Sequence, residues 1–233
     1  LMERQLDRDA GKLLQKELEA QGMNFLLNKQ TVEILGKKHV TGLRFKDGEK
    51  TKADLVVMAV GIKPNVEIAK LSGIPVNRGI IVNDFMETEI PNIFAVGECA
   101  ELRGMVYGLV APLYQQGAVL AKRICGVHSE GYKGSVLSTQ LKVSGVDVFS
   151  TGKILEDENT KAIKLLDNWN GIYKKIIVEQ GKIVGAVLFG DTKEGNQLLN
   201  LIKKGATVEE YTEANQNEEL GSSLVAQMAN DEL

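Results

Sequence analysis

The residues best placed to do chemistry are Gly97 and Glu98, which close the apolar run Ile93-Phe94-Ala95-Val96. That run lacks polar alternation, as a strand buried on both faces of a parallel sheet does. Gly97 permits a sharp turn at the end of the expected strand, where Glu98 offers a carboxylate. Further on, Leu109-Val110-Ala111-Pro112 opens a helical pattern that continues through Leu113, Ala118, Val119, Ala121 and Ile124. Pro112 suits a first helical turn, because its missing N–H would have had no partner there. The carboxyl end of a strand beside a helix N-terminus is where open α/β sheets bind nucleotides. A carboxylate there accepts from ribose or ribityl hydroxyls, and the helix N-terminus favours a phosphate or an electron-rich ring oxygen. The competing reading is a solvated glutamate on an ordinary strand-end turn, and the residues alone leave it open.

Other reactive residue types offer less. Cys99 and Cys125 form no CxxC, so neither a disulfide framework nor a metal cluster is encoded, and Cys99 reads as a structural, buried thiol. His39 and His128 stand apart from any Ser, Asp or Cys constellation. Arg78 beside Gly79 reads as a solvated turn, and Trp169 and Tyr173 as core or interface aromatics. Lys37-Lys38 and Lys203-Lys204 are too short to be basic patches, and Lys174-Lys175 reads as a solvated strand edge. A net charge of −3 gives no electrostatic case for nucleic acid or an anionic membrane as partner. No apolar run approaches the roughly 20 residues needed to span a bilayer, and a signal peptide is not expected. Cysteine usage fits a reducing compartment, and a cytoplasmic location is expected.

The elements that must position Glu98 follow from periodicity. Leu6, Ala10, Leu13, Leu14 and Leu18 recur at helical spacing, with Gly22 beyond the helix end. Residues 23–27, 31–35 and 40–45 read as short strands, with a turn at Lys46-Asp47-Gly48, and the apolar run 55–60 as a buried parallel strand ending at Gly61. Pro64-Asn65 breaks the chain. A short helix over 66–71, a strand at Ile80-Ile81-Val82, the strand over 93–96 and a helix over 109–125 then form a second α/β half-domain. Beyond a polar linker at 126–134 the pattern turns to short alternating strands, with a hairpin at Glu179-Gln180-Gly181-Lys182. A helix over 192–203, capped by Asp191 or Thr192 and by Gly205, closes that α+β domain, and an amphipathic piece spans 220–228. The fold class expected is α/β: partial Rossmann-like half-domains over 1–65 and 66–130, then a small α+β domain over 131–205 and a tail over 206–233.

Thr88-Glu89-Ile90-Pro91-Asn92-Ile93-Phe94-Ala95-Val96-Gly97-Glu98 resembles the second FAD signature of the pyridine nucleotide-disulfide reductase superfamily. Ala59-Val60-Gly61-Ile62-Lys63-Pro64-Asn65 resembles the segment by which its NAD(P)H domain returns to its FAD domain. Within it, Gly97-Glu98-Cys99-Ala100-Glu101, Tyr107-Gly108-Leu109-Val110-Ala111-Pro112-Leu113-Tyr114 and Ser138-Thr139-Gln140-Leu141-Lys142-Val143-Ser144-Gly145 resemble the large-subunit branch of the assimilatory NAD(P)H nitrite reductases. Most of the superfamily has Asp where this chain has Glu98.

The resemblance implies FAD contacts at Gly97, Glu98, Val110 and Ala111, a nicotinamide contact at Gly61, and a small-molecule electron donor and acceptor. It assigns 1–65 to NAD(P)H binding, 66–130 to FAD binding and 131–205 to an interface domain through which a homodimer forms. For a longer parent it implies an iron–sulfur cluster and sirohaem, with nitrite reduced to ammonium. The alternatives within the class are an NADH-dependent rubredoxin or ferredoxin reductase and an NADH oxidase. The sequence contains no GxGxxG. An internal fragment cut at both ends is therefore expected, and by itself it is expected to be a silent scaffold or dimerisation module.

Overall fold

In a computed structural model of the chain, residues 1–215 are described, and the expected amphipathic piece over 220–228 lies outside them. Helix α1 is Arg8–Ala20, followed by strands β1 (Thr31–Leu35), β2 (Gly42–Phe45) and β3 (Lys50–Lys52). Next come α2 (Glu67–Leu71), β4 (Ile80–Val82), β5 (Ala100–Leu102), β6 (Met105–Val106) and α3 (Val110–Ile124). The remainder is β7 (Ser138–Val143), β8 (Val146–Gly152), β9 (Thr160–Asp167), β10 (Ile172–Glu179), β11 (Lys182–Phe189), α4 (Gly195–Lys204) and α5 (Val208–Asn215). Mixed helices and sheets make this an α/β chain. No helix among the described residues is long and apolar enough to cross a membrane.

The described residues divide into two compact units: residues 1–27 with 136–215, and residues 28–135. The expected block 1–65 is thus divided after residue 27. In the first unit an antiparallel sheet runs β7-β8-β11-β10-β9. Successive residues of a strand point to opposite faces. On β10, Ile176 and Val178 join Phe149, Leu188, Leu198 and Tyr211 in the core shared with α4 and α5. On the other face, Tyr173 joins Val187 and Phe189 against Leu6, Ala10, Leu14 and Leu18, which line α1 and the residues leading into it. With both faces covered, Tyr173 through Val178 are all buried.

Lys174 and Lys175 lie inside that buried run, not on a solvated edge, and alternation sends them to opposite faces. Each meets its own acid. Lys174 Nζ donates to Glu194 Oε1 at 2.5 Å and lies 3.2 Å from Asp191, while the Tyr211 hydroxyl donates to Glu194 Oε2 at 2.7 Å. Lys175 Nζ donates to Asp7 Oδ2 at 2.9 Å, which also accepts from the Tyr173 hydroxyl at 2.7 Å. Asp7 is the N-cap of α1 as well, accepting from the Ala10 N–H at 3.1 Å. The N-cap of α4 is Glu194, three residues after Asp191 and two after Thr192, where capping was expected.

In the second unit, β1-β2-β3 form an antiparallel sheet, and β4-β5-β6 a second sheet in which Ile80–Val82 pairs in parallel with Ala100–Leu102. Its core gathers Val66, Ala69, Met86, Ala100, Leu102, Tyr107 and Tyr132. The strands expected over 23–27, 55–60 and 93–96 do not form; 93–96 contributes only one bridge, Phe94 to Glu87. The physical reason is pairing. An apolar run of this kind is a strand only between two neighbouring strands; among the described residues none lies beside 23–27 or 55–60, and 93–95 meets only the segment 86–88, through the Thr88 N–H to the Ile93 carbonyl and the Ala95 N–H to the Met86 carbonyl. Leu55, Val57, Met58 and Val60 are consequently 79, 78, 75 and 91% exposed.

Candidate functional site

Gly97 adopts φ +100°, a left-handed turn in which side-chain-bearing residues are strained. Its carbonyl accepts from the Ala100 N–H at 3.1 Å, so the turn leads into β5. Gly97 and Glu98 therefore stand at the amino end of β5, not at the carboxyl end of a strand over 93–96 as the sequence suggested. The turn itself is where the sequence placed it.

Glu98 is exposed and takes part in no hydrogen bond or ion pair among the described residues. Its Oε1 lies 3.6 Å from the point a Cβ would occupy on Gly108, so the carboxylate reaches the segment that enters α3. The N-cap of α3 is Leu109, extended at φ −119° and ψ 141°, which supplies no side-chain cap, and the first turn carries no acid. The first-turn N–H groups at Val110 and Ala111 are thus left to solvent or ligand. Val110 is 68% exposed and Ala111 is exposed, while Pro112 packs inward. Deeper on the same helix, Gln116 is buried with Oε1 lacking a hydrogen-bond partner, an acceptor for which a donor is wanted.

The turn is anchored by a residue that the sequence gave no reason to single out on its own. Glu101 is buried; it accepts from the Gly79 N–H at 2.8 Å and from the Asn77 amide at 2.9 Å. The Gly79 N–H is the largest cause holding its carboxyl below the usual glutamate range. Two glutamates three residues apart thus have opposite situations: Glu101 is committed to the fold and Glu98 to nothing. The other supporting pair is Tyr107 with Tyr132, whose rings meet edge to face at 5.7 Å. The Tyr132 hydroxyl lies 2.5 Å from Ser135 Oγ, and Ser135 in turn donates to Gln115 of α3.

Gly61 stands apart. It has φ +84° within the exposed, non-strand segment after residue 54, and no hydrogen bond among the described residues joins it to Glu98 or α3. Gly97, Glu98 and the entry to α3 lie together, with Glu98 Oε1 3.6 Å from the Cβ point of Gly108. Cys99 is half-buried, its thiol 3.6 Å from the Val96 carbonyl, and Cys125 is exposed. No group of three or more His, Cys, Asp or Glu among the described residues could hold a metal ion.

An uncommitted carboxylate facing an uncapped helix N-terminus across a glycine cradle is a donor and acceptor set that fits one half of a flavin dinucleotide site. Comparison with known proteins points the same way. The family profile described as pyridine nucleotide-disulphide oxidoreductase matches residues 1–119, and that of the rubredoxin NAD+ reductase C-terminal domain matches residues 138–206. The nitrite reductase (NAD(P)H) of Bacillus subtilis (strain 168) is 61% identical over 237 residues, covering 100% of this chain and 29% of that protein. The assimilatory nitrate reductase electron transfer subunit of the same organism is 56% identical over 204 residues, covering 88% of this chain and 26% of that one. Among solved structures, NADH:rubredoxin oxidoreductase from Clostridium acetobutylicum superposes with a TM-score of 0.65 at 30% identity, over 88% of this chain and 50% of that chain. The chain spans less than a third of the two curated relatives, so it corresponds to one portion of them. With a profile over more than half its length and 61% identity along all of it, the chain belongs to the pyridine nucleotide-disulphide oxidoreductase family.

Proposed function

We propose that this chain supplies the second half of the FAD site in an NAD(P)H-dependent flavoprotein of the nitrite reductase type, in which nitrite goes to ammonium. The observation that carries the reading is the Glu98 carboxylate, without a hydrogen bond or ion pair among the described residues and 3.6 Å from the Cβ point of Gly108 at the entry to α3. When bound, FAD takes two electrons as hydride from NAD(P)H and releases them singly to a downstream acceptor. Glu98 accepts hydrogen bonds from ribityl hydroxyls. Gly97 lets the backbone approach closely. The N–H groups at Val110 and Ala111, with the positive end of α3 behind them, hold electron-rich oxygens of the ring and favour its more negatively charged form. No side chain here acts as acid or base in that scheme. Glu98 in place of the superfamily's Asp places the carboxylate one methylene farther from the backbone, and Gly108 leaves room for it.

Gly61 is assigned to nicotinamide contact on resemblance alone, and so is the division into NAD(P)H-binding, FAD-binding and interface regions over 1–65, 66–130 and 131–205. The iron–sulfur cluster, the sirohaem and a cytoplasmic location belong to the same reading of the longer relatives. A homodimer through the C-terminal domain is supported by the edge strands β7 and β9, each with one side unpaired. Rubredoxin, ferredoxin or oxygen as acceptor is the alternative, supported by the C-terminal profile match.

A second reading concerns the chain by itself: a scaffold without activity. The sequence holds no GxGxxG, so the phosphate-cradling loop must come from elsewhere. Titrating the purified chain with FAD and following flavin fluorescence separates the two. Saturable quenching that disappears in Glu98→Ala supports a preformed half-site. Absence of quenching supports the scaffold, and Glu98→Ala in the full-length relative then tests the site assignment through its flavin content.

A further inference from the structure

In the first unit, α1 and the edge of the five-stranded sheet enclose a pocket of about 510 Å³ that none of the flavin residues touches. One wall is a single stripe of α1, since Asp9, Lys12, Leu13 and Lys16 stand at i, i+3, i+4 and i+7. The other wall is Lys164 and Leu166, two residues apart on one face of β9, with Tyr173, the cross-strand partner of Leu166. The Tyr173 hydroxyl is engaged with Asp7, so its ring rather than its hydroxyl faces a guest. Lys164 is held by Glu156 at 2.9 Å and lies 3.9 Å from Asp9. Lys12 and Lys16 are exposed and have no ion pair among the described residues. Three lysines against one aspartate give the lining a charge of +2, and with Glu156 paired to Lys164 the pocket still presents a net +1, centred on Lys12 and Lys16, on a chain whose net charge is −3.

We propose that this pocket binds a small organic anion that carries two negative charges on a compact apolar body. The body lies on Leu13, Leu166 and the Tyr173 ring, and the charges meet Lys12 and Lys16 from the helix and Lys164 from the strand. A bare inorganic anion gains nothing from the apolar wall. A neutral guest leaves Lys12 and Lys16 without partners. The volume is in the range that holds a small ligand, roughly 300–1,000 Å³.

Isothermal titration of the intact chain with phthalate, a flat ring bearing two carboxylates, tests the proposal. Saturable binding is expected, weakened about tenfold or more in Lys12→Gln/Lys16→Gln and weakened similarly when neutral phthalamide replaces phthalate. Both lysines are exposed, so the double variant keeps its fold, which an unchanged melting curve verifies. Leu166→Glu, on a side chain 54% exposed, places a carboxylate on the floor and is expected to abolish binding. Three results overturn the proposal: no saturation with phthalate, equal affinity in the double variant, or sulfate competing as well as phthalate.

Discussion

The first unit closes on itself and the second does not. Around β10 and β11, a sheet with α1 on one face and α4 and α5 on the other buries every residue from Tyr173 to Val178, lysines included. In residues 28–135, two three-stranded sheets support a modest core, while the apolar run 55–60 lies in the open. Both regions carry sequence written for burial on two faces, and only one has the neighbours that such sequence requires. Amide hydrogen exchange gives the widest contrast. Amides of β10 and β11 are expected to exchange only through global unfolding, and those of 55–62 at nearly the unprotected rate, a ratio of at least about 10³. Equal protection in the two regions breaks the comparison.

Within the closed unit, the buried lysines sharpen it. Burial pulls the Lys174 pKa down, but Glu194 and Asp191 outweigh it and hold the group above its ordinary value. A raised folded value means that this ion pair supports the fold at neutral pH and is lost only as pH rises through it. Lys174→Ala leaves the buried Glu194 and the partly buried Asp191 without their cation and is expected to cost about 3–5 kcal/mol in urea unfolding. Replacing Lys174 with Met, Glu194 with Gln and Asp191 with Asn together is expected to recover part of that loss, because both uncompensated charges go and the Tyr211 hydroxyl keeps an acceptor. On the opposite face, Asp7→Ala removes three bonds, whereas Asp7→Asn keeps the helix cap and is expected to cost less.

The second unit has a milder test at high pH. Burial, reinforced by Tyr107, pushes the Tyr132 hydroxyl up to about 12 from 10.0. Its folded value lies above its unfolded one, so the stability it contributes is complete below pH 10 and lost as pH rises towards about 12. Tyrosinate absorbance followed with circular dichroism is expected to show one tyrosine ionising with loss of structure in that window. Tyr132→Phe keeps the ring contact with Tyr107, removes that ionisation, and costs about 1 kcal/mol at neutral pH through the lost Ser135 bond.

Which parts could be read beforehand follows the same division. The strands β7 to β11 and the hairpin at Gln180-Gly181 were legible because every antiparallel pair but β8 with β11 adjoins in sequence, so local alternation and turn residues carry the information. The run 93–96 was not, because a fully apolar segment reports that it wants burial and says nothing of who provides it. Lys174-Lys175 misled for a related reason: composition marks two lysines as solvent-facing, and their acids, Glu194 and Asp7, lie far off in the chain. Around the candidate site, the turn at Gly97-Glu98 and the start of α3 were legible as local structure. Glu101, which fixes the turn, was hidden because its partners at Asn77 and Gly79 come from another strand connection.

The smallest expected effect on stability is the one that separates function from fold. Glu101→Ala leaves the Gly79 N–H without its acceptor and empties a buried position, and is expected to cost about 2–3 kcal/mol. Glu98→Ala, three residues earlier, removes an exposed side chain that no residue holds, and is expected to change stability by less than about 0.5 kcal/mol. Such a carboxylate, beside a turn that only glycine takes without strain, adds nothing to the fold among the described residues. The combination that identifies a ligand-facing residue is therefore an unchanged unfolding curve together with lost flavin affinity. If Glu98→Ala unfolds the second unit as readily as Glu101→Ala does, the carboxylate is a structural brace and the flavin assignment at this turn falls with it.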